Sequence, residues 1–569
     1  MKGWRIYIVL VIILFVGAAI ISRLFFLQVI NRKFYQAQAL GQQSGFENTQ
    51  GPRGEIFCQN SQQDKGQKGS GQLKSLAINE DNWIVSVKPK EILDKEVFSE
   101  QVSNILSEKK EDVFLKINSE SSYVVLQKKV SSEVLDKIKA LNIKGIYWEQ
   151  NTDRYYPQEK LAAHVLGFMG GNDIGQYGIE GYYEDILKGK SGILESKKGL
   201  DSFLSNESEW SLNGSDIYLT IDYNIQFEAE MLLNEVKDKL DIESGQIIVL
   251  KPDSGRVIAL ANYPSFNSNQ YSKEKDIATF KNSAVQKIFE PGSIMKPFTV
   301  AIALNEGKIT PETKYVDEGF INIGPDKISN FDKQKYGERD ISGILEKSIN
   351  TGAVFVSQQV SHKTFFDYLD KFGFTRKTDI DLQGEAYSSN ESLRNGHDME
   401  YATASFGQAI SMTPIQIARA FCTFANGGKL VKPHMVEKII NGNDELDVKT
   451  EVEDQVISPE TASKVTIMMT NVIERGFGLE GRVPGYYIAG KTGTAEVPLK
   501  NGRGYETNKT IQSFIGFGPT KDPQFLILVK LDDPKVPKSS LSAAPVFKKL
   551  AQYIINYWQI PPDYDVNKK

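Results

Sequence analysis

The segment Phe289 to Thr299, F-E-P-G-S-I-M-K-P-F-T, sets the tightest condition on how this chain folds. Pro291-Gly292 is a turn signal, and apolar residues follow at helical spacing (Ile294, Phe298, Ala301, Leu304), so Ser293 is expected in the first turn of a helix. Lys296 comes one turn later, and residues at i and i+3 share a helix face. A serine hydroxyl is a poor nucleophile until a neighbouring base takes its proton, and a lysine is that base only when neutral. Neutrality near pH 7 means moving a pKa of about 10.4 down at a cost of about 4 to 5 kcal/mol. The positive end of a helix supplies at most ~2 kcal/mol of that. Burial or a second cation supplies the rest, so the fold must bring another part of the chain onto this turn.

The S-x-x-K spacing recurs at Ser107 and Ser272, both in charged segments without a turn-to-helix context, so the spacing alone selects nothing. Composition narrows the classes. A length of 569 residues predicts three or four domains, and 40% apolar residues can build large cores. The net charge of -5 over such a chain leaves no footprint for nucleic acid. Cys58 and Cys422 are far apart and lack C-x-x-C spacing, which points to two free thiols rather than a disulfide or zinc site. Four histidines, none in H-E-x-x-H, leave a histidine triad or a metallohydrolase poorly supplied. No metal and no cofactor is expected.

Near the N-terminus, Ile6 to Ser22 is an uncharged apolar run of 17 residues, continued past Arg23 to Ile30. At about 1.5 Å per residue this stretch can cross a hydrocarbon core of ~30 Å with Arg23 snorkelling to the interface. It predicts one membrane-spanning helix, with no A-x-A-like cleavage site and with the bulk of the protein outside the cytoplasm. Asn31 to Leu40 continues as a polar helix-like stretch, and Gln59 to Leu73 is a solvated loop. Trp83 to Val87 and Ser132 to Leu141 predict a strand and a helix of a mixed α+β domain. Within it, R-Y-Y-P from Arg154, H-V-L-G from His164 and G-I-E-G from Gly178 are expected to serve packing and backbone geometry.

A second domain begins near Gly214. Ile217 to Ile221 is strand-like, Asn224 to Leu240 a helix, and Gly245 to Leu250 and Arg256 to Ala261 are strands joined through P-D-S-G. Thr413-Pro414-Ile415-Gln416 opens a helix with a capping-box pair and proline at its first position, and Asn426-Gly427-Gly428 closes it, with Cys422 in the core. Tyr486 to Val497, Ile511 to Phe517 and Phe525 to Leu531 are three further strands. Two strands before a helical insert and three after it predict a five-stranded, mainly antiparallel sheet with helices around it. The last dozen residues are expected to be a tail.

Two motifs answer the condition set at Ser293. Ser348-Ile349-Asn350 lies 55 residues on, at the end of a predicted helix over Ile341 to Lys347, and Lys491-Thr492-Gly493-Thr494 sits on the first C-terminal strand. S-x-N also occurs at Ser265 and Ser388, and K-[ST]-G at Lys190, so it is the ordered set of three that carries specificity. Lys491 can supply the second positive charge and attract a substrate carboxylate. Thr492 and Thr494 can hydrogen-bond that carboxylate, and Gly493 can make room for a peptide along the strand. Ser348 can relay a proton, and Asn350 can hold a substrate amide and Lys296 together. The backbone N-H groups of Ser293 and Thr494 would form an oxyanion hole, on the order of 3 kcal/mol per donor.

With those residues in order, Phe289–Thr299, Lys347–Val354, Ala404–Pro433 and Val483–Pro519 resemble the penicillin-binding proteins. S-F-G-Q from Ser405 and M-T-P-I-Q from Met412 resemble the class B, division-type group, and R-L-F-F-L-Q from Arg23, P-R-G from Pro52 and G-I-E-G resemble its anchor and non-catalytic pedestal. The resemblance implies an α+β fold with a transmembrane anchor and cytoplasmic tail over 1–30, a pedestal (dimerisation-type) domain over 31–213, a serine β-lactamase-like transpeptidase domain over 214–555 and a tail over 556–569. It implies peptidoglycan D,D-transpeptidation at the division septum, on the outer face of the cytoplasmic membrane. Ser293, Lys296, Ser348 and Lys491 would be catalytic, and Asn350, Thr492, Gly493 and Thr494 substrate-binding. Stem peptides, β-lactams, a partner polymerase and division proteins would be its partners, since no glycosyltransferase domain fits between anchor and pedestal. The pedestal departs from the family pattern, with Cys58-Gln59-Asn60-Ser61 where Asp and Arg are usual. G-F-G-L-E-G from Gly476 follows a helix rather than a strand and reads as a loop, not a dinucleotide site, and E-S-L-R-N from Glu391 has its leucine one place early for a deacylating β-lactamase element. A D,D-carboxypeptidase and a non-catalytic β-lactam sensor or scaffold are the rival functions.

Overall fold

The computed structural model describes residues 14, 15, 17, 47–60, 73–194, 213–499 and 504–566. Most of the predicted anchor from Ile6 to Ile30, the stretch Asn31 to Leu40 and most of the loop from Gln59 to Leu73 lie outside the described residues, and among those described no helix is long and apolar enough to cross a membrane. The chain divides into two units. In the smaller, Glu47–Gln50 pairs antiparallel with Ser191–Leu194. The larger comprises Glu55–Leu187, Asp216–Ile440 and Asp444–Lys569.

In the larger unit the strand Lys74–Val87 pairs antiparallel with Ile146–Tyr155 and, at its far end, with Val124–Val130. Helices Lys95–Leu106, Lys110–Ile117 and Ser132–Ala140 close over it, burying Phe98, Val102, Val113 and Leu135 against Val85, Val87 and Leu126. The sheet continues through Ile56–Gln59, then Asp216–Asp222 in parallel, then Val436–Asn441 and the edge strand Asp444–Asp447, to give seven strands. The strand expected over Ile217 to Ile221 therefore forms, and it is this sheet that takes it, because Ile217, Leu219 and Ile221 all point inward. Cys58 is buried in the same core, and burial pushes its thiol up to about 12. Two segments expected only to pack are chemically joined: Arg154 Nε donates to Glu180 Oε1 at 2.7 Å, with both side chains buried, and Tyr156 Oη donates to the same oxygen at 3.2 Å. The pair ties the strand that carries Arg154 to the short helix Gly178–Tyr182.

The rest of this unit opens with α1 (Tyr223–Leu240), β1 (Ser244–Leu250) and β2 (Val257–Tyr263). It continues through α2 (Lys296–Asn305), α3 (Asn350–Ser357), α4 (Pro414–Ala425) and α5 (Pro459–Arg475). It ends with β3 (Ala489–Pro498), β4 (Tyr505–Gly518), β5 (Phe525–Asp532) and α6 (Ala543–Tyr557). The sheet has the order β2-β1-β5-β4-β3 and is antiparallel throughout, which leaves β3 at an edge. Helices α1 and α6 bury Leu232, Leu233, Leu550 and Ile554 against Ile247, Phe514 and Val529 on one face. On the other face Phe298 of α2 and Phe421 and Phe424 of α4 pack with Ile248, Ile515 and Leu528. Every side chain of α2 from Lys296 to Leu304 is buried, the pattern of a helix at the centre of a core.

Helix α4 starts as predicted: Thr413 Oγ1 accepts from Gln416 N at 3.3 Å, Gln416 Oε1 accepts from Thr413 N at 2.8 Å, and Pro414 fills the first position. Cys422 on that helix is fully buried. The expected tail is tied down as far as Asp563: Tyr487 N donates to Asp563 Oδ2 at 2.8 Å and Tyr486 Oη to Ile560 O at 2.7 Å.

Candidate active site

Ser293 lies on one tight 3-10 turn, Gly292–Met295, that runs directly into α2. Gly292 takes φ +58° and donates its N-H to Gly407 O at 3.0 Å. A side chain at Gly292 would start 2.7 Å from Thr494 O, and one at Gly407 (φ +85°) would start 2.0 Å from Gly292 O. Two glycines thus let the turn be pressed between the S-F-G-Q segment and β3.

Three elements converge on Lys296 at the start of α2. Its Nζ lies 3.0 Å from Ser293 Oγ, 2.5 Å from Ser348 O, 3.1 Å from Ser348 Oγ and 2.8 Å from Asn350 Oδ1. Ser348 stands between the short helix Ile341–Glu346 and α3 with φ +53°, a conformation L-residues seldom adopt, which turns its carbonyl toward the amine. From β3, Lys491 Nζ reaches Ser348 Oγ at 2.9 Å and Thr492 O at 3.0 Å.

Both lysines are completely buried. Burial drives Lys296 well below the ordinary lysine value, and the charge of Lys491 drives it further against a smaller opposing pull from Asp332. Of the two sources of neutrality left open by the sequence, burial is the larger. Burial also brings Lys491 down to about 7. A neutral amine has two N-H groups and one lone pair, and the Ser348 carbonyl and Asn350 Oδ1 can only accept. They occupy both N-H groups, so the lone pair of Lys296 is left to the hydroxyls of Ser293 and Ser348. Ser348 Oγ, accepting from Lys491, can pass its own proton to Lys296.

A cavity of about 750 Å³ opens over Ser293 and is lined by Ser348, Asn350, Thr492 and Thr494 among others, while the two lysines lie sealed behind it. Lys491 can therefore reach the cavity only through its field and through Thr492, whose Oγ1 is 3.4 Å from its Nζ. A side chain at Gly493 would start 2.4 Å from Ser513 Oγ, 2.9 Å from Ile294 Cγ1 and 3.0 Å from Pro291 O, so the missing side chain lets the Ser293 turn dock on the strand. The glycine loop after α5 puts Phe477 in the cavity wall, and Glu391 lies exposed on a four-residue helix apart from the cavity-lining residues. Glu290, just before the turn, was not singled out by sequence: it accepts from Ala409 N at 3.1 Å and Tyr505 Oη at 3.3 Å.

Known proteins match this arrangement. The family model described as the penicillin binding protein transpeptidase domain covers residues 245–552, more than half of the chain, and the penicillin-binding protein dimerisation domain covers 48–219. The chain is a class B penicillin-binding protein. This penicillin-binding protein is a serine-type transpeptidase that cross-links peptidoglycan in cell-wall synthesis and takes stem peptides and β-lactams. It is 31% identical to stage V sporulation protein D of Bacillus subtilis (strain 168) over 473 residues, covering 81% of this chain and 73% of the relative. It is 30% identical over 594 residues to the peptidoglycan D,D-transpeptidase FtsI homolog of Mesostigma viride, covering 98% and 96%. Penicillin binding protein 2X from Streptococcus thermophilus shares the fold, with a TM-score of 0.73 at 21% identity over 90% of this chain and 80% of that one.

Proposed function

We propose that Ser293 is the nucleophile and Lys296 its base, and that the transpeptidation runs through an acyl-enzyme on Ser293. The observation that carries this is a fully buried amine 3.0 Å from an alcohol that faces a cavity. Lys296 takes the Ser293 proton as Oγ bonds to the penultimate D-alanine carbonyl carbon of a donor stem. The oxyanion is received by the N-H groups of Ser293 and Thr494, a pairing supported by the contact between Gly292 and the Thr494 backbone. The C-N bond then breaks, and Ser348 hands the proton from Lys296 to the departing D-alanine nitrogen. A neighbouring stem's amine attacks the ester, its proton returns by the same route, and Ser293 is released as the new amide forms. Thr492 and Thr494 hold the donor's terminal carboxylate, with Lys491 behind them, and Asn350 holds a substrate amide together with Lys296.

Residues 31–213 serve as the pedestal and 214–555 as the transpeptidase domain. The length and apolarity of Ile6 to Ile30 support a single membrane anchor, with the catalytic domain outside the cytoplasm and a polymerase and division proteins as partners. Septal work is supported by the FtsI name of one relative, and spore work by the sporulation name of another. A tagged copy that never gathers at midcell would remove the septal role. Labelled penicillin followed over time, with paired donor and acceptor stems, tests the chemistry. A stable label and cross-linked product are expected, trimmed stems alone would mean a carboxypeptidase, and label with neither product would mean a sensor.

A further inference from the structure

The helix that carries Asn350 has no cap of its own. Its N-cap residue is Ile349, whose side chain can accept nothing. The first N-H groups of a buried helix need a partner. They find one 20 residues upstream, where Asn330 Oδ1 accepts from the N-H of Asn350 at 3.1 Å and, one residue further on, from that of Thr351 at 3.3 Å. Asn330 is itself held, since its Nδ2 donates to Asp317 Oδ2 at 2.9 Å and to Gln334 O at 3.0 Å. The Asp317 carboxylate also accepts from Thr351 Oγ1 at 2.7 Å, Tyr336 N at 2.8 Å and Gly319 N at 3.0 Å. All three side chains, Asp317, Asn330 and Thr351, are buried. Burial pushes the Asp317 carboxyl up, and the four donors together outweigh it and hold the group below its ordinary value.

The side chain of Asn350 is oriented from the same place. Its Nδ2 donates to Ser329 O at 3.2 Å, which turns Oδ1 toward Lys296 Nζ at 2.8 Å. Residues 329 and 330 therefore grip Asn350 by main chain and side chain at once, and both belong to the cavity wall. We propose that Asp317, Asn330 and Thr351 are positioning residues of the transpeptidation: Asp317 and Thr351 lock Asn330 as a tertiary cap on α3, and that cap holds Asn350 Oδ1 on the base. This rests on the assignment of Lys296 as the base. The stretch between the S-x-x-K and S-x-N motifs thereby becomes part of the catalytic apparatus rather than a spacer.

The test is a double-mutant cycle on acylation by labelled penicillin, with thermal melts in parallel. Asn330→Ala should slow acylation roughly tenfold, the scale of a lost helix cap. In the Asn350→Ala background the same substitution should change the rate by less than about twofold, since the side chain it positions is gone. Thr351→Val should slow acylation in the same direction, and Thr351→Ser, which keeps the hydroxyl, should restore it. Equal losses from Asn330→Ala in both backgrounds would overturn the proposal and leave the Lys296 assignment standing. Asn350→Ala acylating at the wild-type rate would overturn the proposal together with the role given to Asn350.

Discussion

Lys530 on β5 is buried as deeply as Lys296 and Lys491, but its surroundings differ. Its Nζ meets Asp532 Oδ1 at 2.6 Å and Gln246 Oε1 at 3.0 Å and lies 5.1 Å from the centre of the Phe289 ring. Lys296 and Lys491 have, among the described residues, only neutral oxygens within hydrogen-bond distance. Burial pushes all three amines down, and Asp532 works against burial at Lys530, whereas at Lys296 the neighbouring Lys491 adds to it. Burial likewise pushes the Asp532 carboxyl up, and Lys530 and Lys287 outweigh it and hold it below its ordinary value. A buried cation with a counter-ion is a strut, and one without is poised to act as a base.

The contrast is open to direct attack. Ser293→Ala should abolish covalent penicillin labelling, a loss of at least about 10⁴-fold, with an unchanged melt; a labelled variant would move the nucleophile elsewhere. Lys296→Arg keeps a cation that does not release its proton, so acylation should fall by roughly 10³-fold, read as the second-order rate of labelling. If Lys296→Arg acylates normally, the base is another group.

Lys530→Met should lower stability by about 3 kcal/mol, because it takes the buried counter-ion from Asp532 and leaves it only the exposed Lys287 at 3.6 Å and the Ser244 hydroxyl. Lys491→Met should raise it by on the order of 1 kcal/mol at pH 7 while slowing acylation. Chemical denaturation of both variants checks the pair, and equal signs would erase the distinction. The sign follows from linkage: between about 7 and the ordinary lysine value near 10.5 the unfolded chain holds a proton on Lys491 that the folded chain has lost. The wild type therefore gains stability as pH rises through that window and is least favoured below it, and Lys491→Met should flatten this rise.

The smallest expected effect concerns pH and rate. Acylation should fall on the acid side as Lys296 gains its proton and on the alkaline side above about 7 as Lys491 loses its charge. Lys491→Arg, which stays charged, should carry the alkaline limb upward by more than about one pH unit and leave the acid limb in place. An alkaline limb that does not move would remove Lys491 as the group behind it.

Much of this was written locally. The turn at Pro291-Gly292, the capping box at Thr413, the helix over Pro459–Arg475 and the strands of the sheet follow from residues within a few positions of one another, as does the order of the three motifs. The condition read at Ser293, that burial or a second cation from another part of the chain must neutralise Lys296, was also legible. Which contribution dominates was not, because burial is a property of everything packed around Lys296 and no window of sequence contains it. The same holds for Gly493, whose neighbours Ser513 and Pro291 arrive from another strand and another turn, and for Arg154 with Glu180. It holds most clearly for Asn330, an asparagine in a loop until the fold sets it on the bare end of α3. Local propensity and spacing are decided by near neighbours in the chain. Dielectric, counter-ions and tertiary caps are decided by neighbours in space, which only the packed structure supplies.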